Sequence, residues 1–145
     1  SNRENDSFDI YSFDLGQGPL FHDFLSGTSP VEITKESVLS SAGNDKCPSL
    51  YGDYLVFASD REGGYGGFDL YYSKYENNAW TDPVNFGSKV NSANDEYRPV
   101  MFSFLYFSLM VFSSDRPGGK GGFDLYCVDI SDVIEVPEGG HFWGF

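Results

Sequence analysis

Cysteine, histidine and methionine each occur only twice in this chain of 145 residues, and nine basic side chains face twenty-two acidic ones. Each scarcity excludes something. Cys47 and Cys127 are too few for a disulfide framework. They fall at different points of the internal pattern described below, so free, mostly buried thiols are expected. The two histidines, His22 in the irregular stretch PLFHDFLSG and His141 in the terminal tail, share no setting with a nucleophile. Neither a Gly-x-Ser-x-Gly elbow nor a His-Glu-x-x-His pair occurs. The formal net charge of −13 argues against nucleic acid and anionic membrane surfaces, which are met by basic patches. Long apolar runs are missing too. The longest, VMFSFLYFSLMVF over Val100–Phe112, is far below the ~20 residues of a spanning helix and carries two serines, so it reads as buried strand. The opening residues SNRENDS show no basic start followed by an apolar run.

What is abundant is aromatic and glycine: 14 Phe, 10 Tyr, 2 Trp and 17 Gly. Aromatics favour strands and glycine favours turns, so many short strands joined by tight loops are expected. No stretch of ten or more residues combines helical period with caps, and helix content should be very low.

Internal repetition sets the architecture. FDIY at Phe8–Tyr11 returns as FDLY at Phe68–Tyr71 and at Phe123–Tyr126. Ahead of each lies Ser-Asx-Arg: Ser1-Asn2-Arg3, Ser59-Asp60-Arg61 and Ser114-Asp115-Arg116. Asn44-Asp45 leads to Pro48 as Asn94-Asp95 leads to Pro99, and PVEI at Pro30–Ile33 is answered by PVNF at Pro83–Phe86. One full unit then reads as four strands: A after Pro48, B over Tyr54–Ser59, C over Phe68–Lys74 and D over Ala79–Gly87. In C, Phe68, Leu70 and Tyr72 share one face while Asp69, Tyr71 and Ser73 share the other. B is apolar on both faces and is expected in a sheet interior. Pro99–Phe112 is four residues longer than Pro48–Phe57 and lacks the Gly52-Asp53 type of turn. For the last outer strand the best candidate is VIEV, Val133–Val136.

Four strands per 50–60 residues is the signature of a β-propeller blade. The string Ser-Asp-Arg…Gly-Gly…Phe-Asp-Leu-Tyr, followed by Trp…Pro-Val-Asn and Asn-Asp-Glu…Pro, resembles the WD40-like propeller repeat of the TolB type. The nearest version is that of bacterial envelope proteins that often carry an OmpA-like domain. The resemblance implies an all-β fold of four-stranded antiparallel blades. Residues 1–43 would form a partial blade (strands C and D), 44–93 a complete one, and 94–145 a last one with its tail. About three blades do not close a ring, which takes roughly 4–8. The chain is therefore expected to be an arc, completed to a six-bladed ring by the rest of a longer polypeptide or by a second copy. The resemblance also implies a periplasmic or outer-membrane-associated place and other envelope proteins as partners, while the shortness of the apolar runs implies no membrane span.

Residues that recur at fixed offsets are expected to be structural. That set is Asp60, Arg61, Phe68, Asp69, Tyr71 and their counterparts Asp115, Arg116, Phe123, Asp124, Tyr126. Asp60 and Asp115 are expected to accept hydrogen bonds from the glycine-rich loop. Arg61 and Arg116 are expected to fold back onto Asp69 and Asp124. Calcium is the sharper reading of the same carboxylates, but their spacing fits neither an EF-hand loop nor a nonapeptide repeat, and no cofactor is expected. In an A-B-C-D meander the B–C loops (Glu62–Gly67, Pro117–Gly122) and the D–A loop (Gly87–Asp95) share one end, which presents Tyr65, Lys120, Asp95 and Glu96 as the candidate binding face. The expected function is non-enzymatic: a propeller that mediates protein–protein interaction. The alternatives are a carbohydrate-binding or glycoside-processing propeller, with Tyr65 and Trp80 stacking on sugars, and a propeller joined to a hydrolase domain elsewhere.

Overall fold

The computed structural model describes residues 7–13 and 33–135. Among these residues the chain is all-β, built of antiparallel sheets, none of them closed, with no helix. β1 (Tyr11–Ser12) pairs with β2 (Thr34–Lys35). β3 (Asp45–Tyr51), β4 (Tyr54–Ser59) and β5 (Asp69–Glu76) form a meander, and β5 also carries β6 (Ala79–Trp80) and β7 (Val84–Asn85) on its far edge. The last sheet is the meander β8 (Glu96–Phe104), β9 (Phe107–Ser114) and β10 (Asp124–Asp129).

Local chemistry explains the breaks. Pro48 and Pro99 have no N–H to give a ladder. Each sits at a bulge, between Lys46 and Ser49 and between Tyr97 and Val100. The residue before each proline turns left-handed: Cys47 at φ 54° and Arg98 at φ 53°. The first strand of the full unit consequently starts at Asp45, ahead of Pro48. Asn77 and Asn78, at φ 52° and 62°, make the two-residue reversal between β5 and β6, a role Asn fills because its side chain tolerates that region. The expected strand D is split, because Thr81–Pro83 interrupts it and leaves two short pairs.

The core lies between sheets. The β4 side chains alternate faces and both faces are covered. Val56 and Ala58, with Leu70 of β5, pack on Met101, Met110 and Phe112 of the last sheet, joined by Phe86, Val90, Ile130 and Ile134. Leu55, Phe57 and Tyr71 pack the other way, on Ile10 and Leu39. Burying a large apolar side chain is worth roughly 1.5–3 kcal/mol, so these two layers dominate the cohesion of the fold.

Three similar turns close the layers. Leu39 N–H donates to Glu36 O at 3.1 Å, Val90 N–H to Gly87 O at 3.1 Å and Val133 N–H to Ile130 O at 2.9 Å. Here the structure corrects the sequence reading. Val133 and Ile134 belong to a turn that buries Ile134, not to an outer strand; Val136 lies outside the described residues. Both cysteines are free, but only Cys47 is half-buried. Cys127 is exposed, because its face of β10 has no sheet against it.

Candidate functional site

The candidate site is the end of the sheets where the glycine-rich loops meet the turns that enter β3 and β8. Its frame is ionic. Arg61 leaves the end of β4, and Asp45 stands opposite Ser59 in the β3–β4 register. The Arg61 guanidinium therefore reaches across to β3, donating to Asp45 Oδ1 at 2.8 Å and to Leu39 O at 2.8 Å, while its Nε–H donates to Ser59 Oγ at 2.9 Å. The rings of Phe57 and Tyr71 lie 5.1 and 4.8 Å from the guanidinium carbon, a cation–π setting. The last sheet builds the same group. Arg116 donates to Glu96 Oε1 at 2.9 Å, to Ser114 Oγ at 3.1 Å and to Val90 O, with Phe112 and Tyr126 at 5.3 and 4.8 Å. The carboxylates of Asp45 and Glu96 are fully buried.

This overturns the expected pairing of Arg61 with Asp69 and of Arg116 with Asp124. Asp69 instead caps the glycine-rich loop: Tyr65 N–H and Gly66 N–H donate to it at 2.6 and 3.1 Å, and Asn85 Nδ2 at 2.8 Å. Asp124 accepts from Lys120 N–H and Gly121 N–H at 2.7 and 3.1 Å. Asp60 is not the acceptor for that loop. It accepts from Asn44, through its backbone N–H and its Nδ2 at 2.7 Å, and Asp115 accepts from Asp95 N–H at 2.9 Å. The reason is geometric. Asp69 begins the strand that the loop runs into, three and four residues on, so it is the carboxylate within Asx-type reach of those N–H groups. Asp60 ends β4 and faces the chain entering β3.

The contacts also shift the alignment of the two entering turns by one residue. Ser41 N–H and Oγ donate to Asp45, as Ser92 N–H and Oγ donate to Glu96. Asp45 thus corresponds to Glu96, and Asn44 to Asp95. Asn44 Oδ1 takes Phe8 N–H at 3.2 Å, and Asp95 Oδ1 takes Phe68 N–H at 2.9 Å. Return bonds run from Asp45 N–H to Phe8 O and from Glu96 N–H to Phe68 O, both 2.7 Å. Asp95 and Glu96 are therefore stitched between sheets and do not belong to an open binding face.

Above these bonds runs a ladder of rings. Lys46 Nζ sits 4.6 Å from the Phe8 ring and 4.7 Å from that of Phe68. Phe68 meets Tyr97 at 4.6 Å, and Tyr97 meets Phe123 at 5.9 Å. Burial, with the carboxylates of Asp95 and Asp60 adding to it, pushes the Tyr97 hydroxyl up to about 12. An open cleft of about 490 Å³ lies beside the ladder, between Phe8–Tyr11 and Asp45–Pro48.

Of the predicted face, Tyr65 and Lys120 are exposed as expected, each on a loop pinned by an aspartate. Trp80 is half-buried, packed against the Leu55–Phe57–Tyr71 cluster and edge-on to Tyr75 at 5.1 Å. His22 and His141 lie outside the described residues. Among the described residues no group of three or more His, Cys, Asp and Glu is placed to hold a metal ion. Sequence reading missed Asp45, Lys46 and Tyr97, and also Asn91, whose side chain accepts from Leu70 N–H at 2.8 Å and donates to Leu70 O at 2.9 Å. Their signal was present in the offsets, but Asp stands where the other turn has Glu, and Lys where it has Tyr. No family model, curated protein or solved structure matches the chain.

Proposed function

We propose that this chain is a run of β-propeller blades from a bacterial envelope protein, with a non-enzymatic role in binding other proteins at its glycine-loop end. The observation that supports it most is the pair of matching Ser–Arg–carboxylate groups, each lying on two rings at the same end of two stacked meanders. A group made twice on one plan is a building part; a catalytic group is needed once. The stacking also has a direction. Leu70 is fully buried under the last sheet, whereas Leu125, its counterpart, is 77% exposed. A further blade, from the same polypeptide or a second copy, covers Leu125 in the assembled protein. The envelope location rests on the sequence resemblance.

The binding face is then the rim carrying Tyr65 and Lys120, held rigid by Asp69 and Asp124. Rigid loops on a sheet scaffold are the usual place for recognition. The packing of Trp80 against Leu55 and Tyr71 leaves it poorly placed as a sugar platform.

The test is a photo-crosslinking residue placed at Tyr65 in the natural protein inside cells, with a second placed at exposed Asn78 as the control at the opposite end of β5. A discrete protein adduct from position 65 alone is expected. Adducts of equal yield from both positions, or none from either, would refute the binding face.

A further inference from the structure

The last sheet carries a feature that the corresponding hairpin lacks. The β3–β4 hairpin turns through Gly52-Asp53, closing on the pair Tyr51–Tyr54. The β8–β9 hairpin turns through Leu105-Tyr106, closing on Phe104–Phe107. β8 and β9 have nine and eight residues against seven and six in β3 and β4. Each arm is two residues longer, so the register is kept and the tip stands about 7 Å further out, at roughly 3.4 Å per residue.

The extension is apolar and uncovered. Phe104 and Leu105 are each 55% exposed, Phe107 48% and Tyr106 89%, with Phe102 beside them. No charged residue occurs between Arg98 and Asp115. The turn residues also run against local preference. Leu105 has φ 55°, where the matching Gly52 has φ 57°. That region suits glycine and strains a branched side chain. A bulky apolar residue kept in a glycine conformation, at the most exposed point of a hairpin, is not explained by packing or by turn chemistry. Another sheet, stacked as the last one is on β3–β4, would cover Phe102, which matches Tyr51 and shares the face that carries Leu125, but it does not explain the two residues that each arm adds, since the covered β3–β4 hairpin has no such extension.

From this we infer that the β8–β9 tip is a lipid-contacting finger that enters the interface of a neutral bilayer. A convex, uncharged tip of Phe, Leu and Tyr is the chemistry of the headgroup–acyl boundary, where aromatic rings concentrate. Its reach beyond the neighbouring hairpin matches the roughly 5–10 Å to which interfacial elements bury. The net charge of −13 selects zwitterionic over anionic headgroups. The finger touches the surface and does not cross it.

The double variant Leu105→Gly/Tyr106→Asp tests this. It installs the turn found at Gly52-Asp53, so the hairpin keeps its reversal with less backbone strain. Flotation with phosphatidylcholine vesicles should carry the unmodified chain upward, and the double variant at least about tenfold less. Vesicles containing phosphatidylglycerol should bind more weakly than neutral ones. A Tyr106→Trp variant should show blue-shifted emission on the same vesicles. Circular dichroism melting of the double variant should be unchanged or higher. Absence of flotation by the unmodified chain, or equal flotation of the double variant, would overturn the inference. So would lipid-free self-association that the double variant abolishes, because the tip would then be a protein contact. None of these results bears on crosslinking at position 65, so the two proposals fail separately.

Discussion

Arg61 bonds to Asp45, its partner sixteen residues earlier in the chain, and not to Asp69 eight residues later. The Asp45 carboxylate is wholly buried and also accepts from Ser41 N–H at 2.6 Å and from Ser41 Oγ. Removing either member leaves the other charge without its partner in a dry setting, at a cost of about 3–5 kcal/mol. Arg61→Ala and Asp45→Ala should each destabilise on that scale in urea unfolding. The double variant should cost about 1–3 kcal/mol less than the sum, because the second removal deletes a charge already orphaned. Arg61→Ala combined with Asp69→Ala should add to within about 0.5 kcal/mol. Coupling in the second pair and not the first would contradict the geometry.

Leu70 and Leu125 hold the same position in successive sheets, one sealed and one open. Leu70→Ala should cost about 2–5 kcal/mol, since it opens a cavity among Val56, Met110 and Phe112. Leu125→Ala in the isolated chain should fall within about 0.5 kcal/mol of no effect, as surface changes do. In the assembled natural protein the proposed further blade should make Leu125→Ala costly as well. Thermal melts of both variants in both contexts give the comparison.

Tyr97 makes stability depend on alkaline pH. Its folded hydroxyl stays protonated to about 12, whereas a free tyrosine ionises near 10. The unfolded chain therefore sheds this proton first. The stabilisation is complete below about pH 10 and is lost as pH rises toward about 12. Tyr72, also raised by burial, acts in the same direction. Tyr97→Phe keeps the ring between Phe68 and Phe123 and removes the proton. The urea midpoint should fall less between pH 9 and 11.5 in Tyr97→Phe than in the unmodified chain. An equal fall in both would show that Tyr97 titrates normally in the fold.

Much of this fold was legible because strand B and strand C carry their period openly. YLVFAS is buried on both faces as expected, and Asp69 alternates with Leu70 along β5. The end of the sheets was less legible. The repeated spacing placed Arg61, Asp60 and Asp69 near one another, but which carboxylate meets the guanidinium depends on the register of β3 against β4, a long-range fact. The same gap hid the match of Asp45 with Glu96. Side chains of different length stand at one position, and an Asn-Asp dipeptide one residue out of phase was the more visible signal. The ladder Phe8–Lys46–Phe68–Tyr97–Phe123 runs across three sheets and joins residues far apart in the chain, so no local pattern could announce it.

Two loop glycines at one position should respond oppositely to the same substitution. Gly66 lies on the turn that enters β8, and a methyl group there would collide with the backbone carbonyls of Ser92 and Asn94. Backbone cannot swing aside as a side chain can, so the loop or the turn must shift. Asp69, which holds that loop, and Asp95, which holds Phe68 N–H, both lose geometry as a result. Gly121 is the counterpart in the last sheet, and a methyl group there meets nothing within 4 Å. Gly66→Ala should therefore destabilise by about 1–3 kcal/mol, the range for overpacking. Gly121→Ala should be neutral or stabilising by up to about 1 kcal/mol, through the smaller freedom of its unfolded chain. Hydrogen exchange at the Tyr65 and Lys120 amides separates the cases residue by residue. Protection should fall at Tyr65 in Gly66→Ala and hold at Lys120 in Gly121→Ala. Equal losses in both would mean that the glycine-rich loop does not rest on the next sheet.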